Sequence, residues 1–102
     1  MTDRVFHPPT NHNVRAAAEF GELVPLCRSF QIYPDDPPQI INQKVDELCS
    51  KLDQFNPVSD YVLMVGDPVA LVAIGAKLSR VNFRVLKFDR EEGAYYSLNL
   101  IR

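Results

Sequence analysis

The middle of the chain alternates between apolar runs and turn residues in a pattern typical of parallel α/β proteins. Residues 61–65 form an unbroken apolar run, which predicts a strand covered on both faces. Gly66 predicts the turn that follows this strand. Asp67 and Pro68 predict the N-cap and the first residue of a helix that extends to about Arg80. This helix is apolar on nearly every side, so we expect it either to be sandwiched between the sheet and the N-terminal segment or to be shared with a partner subunit.

A second helix is predicted before this strand. Asp36 is the expected N-cap, Pro37 the first helical residue, and Gln39 completes a capping-box pattern. Apolar residues then recur at alternating steps of four and three, namely Ile41, Val45, Leu48, Leu52 and Phe55. The pattern predicts an amphipathic helix that ends near Asn56.

Three further segments have the composition of strands. Residues 22–33 predict a strand, or a bent pair of strands, with Pro25 at an edge or an irregularity. Residues 83–88 predict the strand that the apolar helix reaches through a right-handed crossover. The polar residues 89–93 predict a turn, and residues 94–101 are expected to return as an antiparallel strand at the edge of the sheet.

The first 13 residues are polar and rich in proline and asparagine, which predicts an arm or loop. Within this segment, Val5 and Phe6 are apolar enough to lie along a sheet edge or against a neighbouring subunit. Residues 15–20 predict one helical turn, ended by Gly21.

The order of these elements predicts a single small α/β domain over residues 1–102. It should contain a mixed, mostly parallel sheet of about four strands and two main helices, in the order β-α-β-α-β-β, after the N-terminal arm. At 102 residues and 46% hydrophobic, the chain can bury a real core but is too short for two domains.

Charge and composition exclude several classes of protein. The formal net charge of −2 argues against a general nucleic-acid-binding protein, which needs a surplus of lysine and arginine. Cys27 and Cys49 lie in apolar segments, where small reduced core thiols are expected. No segment has the pattern of a signal peptide or a membrane span, so we expect a cytoplasmic protein.

Acidic residues follow all three predicted parallel strands. Asp35, Asp67 and Asp89 would meet at the carboxyl edge of the sheet, where they could hold Mg²⁺ for phosphoryl transfer or phosphodiester cleavage. The competing interpretation is that caps and turns alone account for these residues. The metal site, with Mg²⁺ as its cofactor, is therefore a hypothesis beside a purely structural role.

Gly66 and Asp67 are also candidate cofactor-binding residues, because a phosphate can bind at the N-terminus of the helix that follows. Pro68 removes one donor there, Asp67 adds a negative charge, and the chain has neither a G-x-G-x-x-G nor a Walker pattern. The two histidines, His7 and His12, are not accompanied by the paired ligands that zinc requires. No catalytic residue is predicted, and the sequence favours a protein that is not an enzyme.

Association is the preferred functional hypothesis. The apolar helix has little polar face, and Tyr95 and Tyr96 lie in the predicted edge strand. We expect a homo-oligomer or a protein complex formed through the edge strand, the apolar helix or the N-terminal arm. The alternative is a phosphate- or nucleotide-handling domain that uses the carboxylates at the edge of the sheet.

Three blocks of the sequence resemble a group of short proteins of tailed phages and prophages. The blocks are EFGELVPL, VGDPVA and VLKFDR, at residues 19–26, 65–70 and 85–90. The resemblance implies a phage origin, with the host cytoplasm as the expected compartment, and it implies no particular mechanism. A phage origin favours a small accessory protein that binds a host or viral partner.

Overall fold

The structure, a computed structural model, describes residues 3–100 and shows a five-stranded mixed sheet with two α-helices. The strands are β1 (Arg4–His7), β2 (Glu22–Pro25), β3 (Tyr61–Leu63), β4 (Phe83–Asp89) and β5 (Ala94–Leu100), and the helices are α1 (Pro38–Cys49) and α2 (Pro68–Lys77). Short 3-10 helices span Arg15–Glu19 and Ser50–Gln54. The strand order is β2-β1-β3-β4-β5, with all neighbours parallel except β4 and β5. The predicted single α/β domain with a mostly parallel sheet is confirmed.

The N-terminal segment is part of the sheet, and the prediction of an arm is wrong for Arg4–His7. This strand pairs with β2 on one side and with β3 on the other, so the sheet has five strands instead of four. Val5 and Phe6 are both fully buried, and they point to opposite faces of the sheet. Two apolar residues beside a proline-rich stretch are too weak a sequence signal for an interior strand.

The two faces of the sheet are covered differently. On the helical face, α1 and α2 pack over Phe6, Val62 and Val85 through residues such as Leu48 and Ile74. The opposite face is covered by the 3-10 helix, whose buried residue is Ala17. The side chains of Val5, Leu63, Leu86 and Tyr95 form the core on that side. The domain therefore has two full layers and a thin third one.

The two helices begin differently, and only one start matches its prediction. In α2, Asp67 is the N-cap and its Oδ1 accepts a hydrogen bond from Val69 N–H at 2.8 Å, as predicted. In α1 the N-cap is Pro37, and the helix begins one residue later than predicted, at Pro38. Because Pro38 has no N–H to offer, the Asp36 carboxylate is instead bound by Tyr33 N–H and Lys44 Nζ, at 2.9 and 2.7 Å. The predicted capping box at Asp36 is therefore wrong.

The segment predicted as a long strand over residues 22–33 is a strand only as far as Pro25. Leu26 still donates its N–H to His7 O at 2.9 Å, and the chain then leaves the sheet and runs irregularly to α1. Leu26 and Phe30 pack against the helical core, which explains why the segment is apolar without being a strand. β5 is an edge strand, as predicted, while residue 101 lies outside the described residues.

Candidate functional site

The carboxyl edge of the parallel strands is the place where an open α/β sheet is expected to bind ligands, at the point where strand order reverses. Here the order reverses between β1 and β3. The loop after β1 fills that point, because Pro8 and Pro9 lie directly against Gly66. Gly66 has a φ of 89°, and a Cβ at this position would lie 2.6 Å from Pro9 O, so glycine is required by both conformation and space. The open space lies on either side of this contact.

The larger opening is a crevice of about 610 Å³, bounded by Met64, Gly66, Leu71, Lys87, Phe88 and Arg90 and called the edge crevice below. Its volume is in the range of small-molecule sites. Leu71 and Lys87 line it from the helical face, while Phe88 lines it from the opposite face with Tyr95. The crevice therefore opens across the end of the sheet instead of over one face. A second opening of about 420 Å³, on the other side of Gly66, is lined by Arg28 and Asp67 among others.

The three carboxylates predicted as metal ligands each occupy a different place. Asp67 caps α2, and Asp89 Oδ1 accepts hydrogen bonds from the backbone N–H groups of Glu91 and Glu92 at 3.0 and 3.4 Å. Asp35 is exposed in the turn before α1. Within residues 3–100, no three side chains of His, Cys, Asp or Glu are grouped in a way that could hold a metal ion. The Mg²⁺ site at Asp35, Asp67 and Asp89 stays a prediction.

The sequence did not predict a cationic site at this edge, yet two cationic side chains line the edge crevice. Lys87 and Arg90 are both exposed, and neither has an ion-pair partner among the described residues. No aspartate or glutamate of residues 3–100 lines the crevice. The predicted strand 83–88 and the turn at 89–93 already place both cations near the end of β4. The sequence does not predict that they share a cavity, because the cavity depends on where β3 ends.

The cysteines offer no nucleophile. Cys27 and Cys49 are free thiols, half-buried and buried respectively. Burial raises the pKa of both thiols, which keeps them protonated and poorly nucleophilic at neutral pH. His7 Nδ1 lies 2.8 Å from Pro8 O, and the Cys27 thiol donates a hydrogen bond to Ser29 O at 3.3 Å.

Strand β5, at one edge of the sheet, presents a second candidate surface. Strand β5 has seven residues, and none of them is charged or proline. On its helical face, Tyr96, Leu98 and Leu100 are 39%, 43% and 44% exposed, and we call these three side chains the β5 stripe. Their direction follows from pairing, because Leu98 lies opposite Val85, whose side chain is in the helical core.

Helix α2 extends this apolar character on the same face. Its inner side buries Ala70 and Ile74 against the sheet, whereas Val69 and Val72 are 49% and 72% exposed. Arg4–His7 lies inside the sheet, and the exposure of Val69 and Val72 shows that no described part of the N-terminal segment covers this side of the helix. The structure therefore does not have the predicted arrangement in which the N-terminal arm covers the apolar helix.

Fold and surfaces together define a small α/β protein with an open edge strand and an unpartnered apolar face. The chain belongs to the Phage Pam3 gp32-like protein family, whose model matches residues 2–101. The resemblance to phage proteins is confirmed by this match. No curated protein and no solved structure matches the chain. No helix in residues 3–100 is both long and apolar enough to cross a membrane.

Proposed function

We propose that this phage protein acts by protein association and not as an enzyme, and that its first partner is a second copy of itself, bound through β5. The observation that carries the proposal is the uncharged, seven-residue edge of β5 beside the exposed β5 stripe. An edge strand presents unpaired N–H and C=O groups, and proteins that stay monomeric usually protect such an edge with charge, proline or a short strand. We expect this dimer to act in the cytoplasm of the infected host cell.

The other edge of the same sheet is protected in the usual manner and serves as an internal comparison. Strand β2 has four residues, begins with the exposed Glu22 and ends with Pro25. Lys51 Nζ also donates a hydrogen bond to Pro25 O at 2.9 Å, which places an ammonium group at that edge. Of the two edge strands, only β5 is long and lacks the charge and proline that protect a sheet edge.

A second copy is the occupant that best fits this edge. Antiparallel pairing of β5 with its own copy is self-complementary, as a two-fold dimer requires, and it brings no like charges together. A two-fold axis perpendicular to the sheet leaves both β5 stripes on the same face. Tyr96, Leu98 and Leu100 of each copy would then be neighbours across the junction, where their exposed area is removed from water.

The size of the effect follows from Leu98. Full burial of a leucine side chain contributes roughly 1.5–3 kcal/mol, and 43% of Leu98 remains to be buried. Counted once for each copy, loss of this burial weakens the dimer by about 1–3 kcal/mol, or about 10- to 100-fold in Kd. Leu98→Lys adds the cost of placing two ammonium groups near the two-fold axis.

The test is light scattering coupled to size-exclusion chromatography, from about 10 µM to about 1 mM protein, concentrations at which a homodimer with a micromolar Kd is populated. The unchanged protein should form dimers, and Leu98→Lys should shift to monomer. Ile40→Lys is the matched control, because Ile40 is 36% exposed and lies in α1, which follows β2 at the other edge of the sheet. A wild-type protein that is monomeric throughout the range would refute the proposal, as would equal dimerisation of Leu98→Lys.

A magnesium-dependent phosphate site is the alternative function, and it would use the carboxylates Asp35, Asp67 and Asp89. Its support is that Asp67 follows β3, Asp89 is the last residue of β4 and Asp35 lies in the turn before α1. Mg²⁺ or Mn²⁺ that binds only the folded protein raises the midpoint of thermal unfolding. Such a rise should disappear when Asp67 and Asp89 are both changed to Asn. No rise with either ion would remove this alternative.

A further inference from the structure

The edge crevice has an open stretch of backbone on one wall, because β4 continues beyond the end of β3. The last residues paired between these strands are Leu63 and Leu86, and β4 runs on to Asp89. Met64 N–H donates to Leu86 O at 2.9 Å, so the backbone groups of Leu86 point toward β3. Strand geometry makes those of Phe88 point to the same side, past the end of β3.

The N–H and C=O of Phe88 therefore lie beside the crevice with no backbone partner on that side in the described chain. One donor and one acceptor from a single residue can bind a complementary donor and acceptor of a planar ligand. Such a pair is fixed in position by the β4–β5 ladder, whose register continues as far as Asp89 and Ala94. This wall is rigid and does not depend on a side-chain conformation.

The same crevice has an apolar surface of the right kind for a ring. Met64 is 41% exposed and Phe88 is 43% exposed, and both line the crevice. The Phe88 ring is held by an edge-to-face contact with Tyr95, with centroids 5.1 Å apart. Aromatic rings fixed in this way offer a surface on which planar rings stack.

The charged groups of the crevice are cations. Lys87 lies on the helical side and Arg90 follows the end of β4, and both line the crevice. His12 adds a third nitrogen group from the loop after β1. Two cations without carboxylate partners favour an anion of charge near −2, such as a phosphate monoester.

We propose that the edge crevice binds a nucleoside monophosphate, with the base against Phe88 and Met64 and the phosphate between Lys87 and Arg90. The phosphate is placed away from the N-terminus of α2, where Pro68 lacks an N–H and the Asp67 carboxylate repels it. The volume of about 610 Å³ suits one nucleotide, and the net charge of −2 disfavours a longer polyanion.

This site meets the proposed dimer interface only at the start of β5, where Tyr95 lines the crevice. Lys87 lies opposite Tyr96 near the start of β5, whereas Leu98 and Leu100 lie toward its other end. The Leu98→Lys variant therefore keeps the crevice, and nucleotide binding can be measured on a protein that does not dimerise. Failure of one proposal leaves the other standing.

The test is a titration of ¹⁵N-labelled protein, followed by NMR, with AMP, GMP, CMP and UMP in separate experiments. At least one nucleotide should shift the amide signals of Met64, Gly66, Phe88 and Arg90 in a saturable manner. Adenosine and inorganic phosphate are the two half-ligand probes. Each should bind at least about tenfold more weakly than the best nucleotide, because each makes only part of the contacts.

Two substitutions of the same type complete the design. Arg90→Gln should weaken nucleotide binding by about tenfold or more, since it removes a charge-assisted hydrogen bond. Arg80→Gln should leave it unchanged, because Arg80 follows α2 at the opposite edge of the sheet. The proposal is overturned if no nucleotide shifts these signals at millimolar concentration, or if Arg80→Gln has the same effect as Arg90→Gln. Equal affinity for phosphate alone or adenosine alone would also overturn it.

Discussion

Replacing Asp60 should destabilise the fold more than any other single carboxylate substitution. Asp60 is 1% exposed and is the only charged residue that is fully buried among residues 3–100. Its carboxylate accepts hydrogen bonds from Arg4 N–H at 3.1 Å, Arg4 Nη2 at 3.0 Å and Asn56 N–H at 2.8 Å. Arg4 is the first residue of β1, so these bonds join the start of the inserted strand to the start of β3.

The magnitude follows from the donors that Asp60→Ala would leave behind. A hydrogen bond to a charged group contributes about 1.5–3 kcal/mol, and the partly buried backbone N–H groups of Arg4 and Asn56 would each lose such a bond. The Arg4 side chain is 30% exposed, so water can replace part of its interaction and we add little for it. The expected loss is about 4 kcal/mol, against a total of about 5–15 kcal/mol for an ordinary domain. A loss of this size lowers Tm by roughly 15–30 °C in a domain of about 100 residues.

Chemical denaturation followed by far-UV circular dichroism gives the free energy of unfolding, and a thermal scan gives Tm. Asp53→Ala is the matched control, because Asp53 is 74% exposed and pairs with Lys77 at 3.2 Å on the surface. That change should cost no more than about 0.5 kcal/mol. If the free energy of unfolding of Asp60→Ala stays within about 1 kcal/mol of that of the unchanged protein, the hydrogen bonds from Arg4 and Asn56 do not stabilise the fold to the expected extent.

Two further predictions concern glycine positions and acid stability. Gly66→Ala should destabilise the fold by more than about 1 kcal/mol, because Gly66 has a positive φ and contacts the loop after β1. Gly75→Ala should stabilise it by about 0.5–1 kcal/mol, because Gly75 lies in the interior of α2 with open space around it. Equal effects of the two substitutions in urea denaturation would contradict this reasoning. The pKa of Asp36 lies below its ordinary value of 3.8, because Lys44 and then Tyr33 N–H donate hydrogen bonds to the carboxylate. A lowered pKa means that the stabilising contribution of Asp36 is present above about pH 4 and is lost as the pH falls through the folded-state pKa. Asp36→Asn should therefore be less stable than the unchanged protein at pH 6, and the difference in Tm should narrow as the pH is lowered below about 4. A difference that stays constant on acidification would exclude this assignment.

Local signals predicted most of the elements in the second half of the chain. The apolar run before Gly66, the Asp67 cap and the turn at 89–93 each depend on residues close together in sequence. The structure has all three, together with β5 at the edge. Elements specified by neighbouring residues are predictable because their hydrogen bonds and backbone angles are local.

The candidate sites were less predictable. The carboxylates after the strands were visible in the sequence, but the edge crevice is bounded by Lys87, Phe88 and Arg90 on one side and by Met64 on the other. These residues share a cavity only because β3 ends two residues earlier than its apolar run. Just beyond that end, Pro8 and Pro9 pack against Gly66, a contact across more than 50 residues that no local pattern contains.

The sequence by itself determined the α/β class, the two helices, the capped start of α2 and the uncharged final strand, because periodicity and capping act over a few residues. The tertiary structure alone decided that Arg4–His7 is an interior strand, since its partners β2 and β3 and the buried Asp60 come from distant parts of the chain. It also decided what stays exposed. The apolar side chains of α2 and β5 are visible in the sequence, but only the tertiary structure shows that Val72 and Leu98 stay exposed, because exposure depends on which distant segments pack over them.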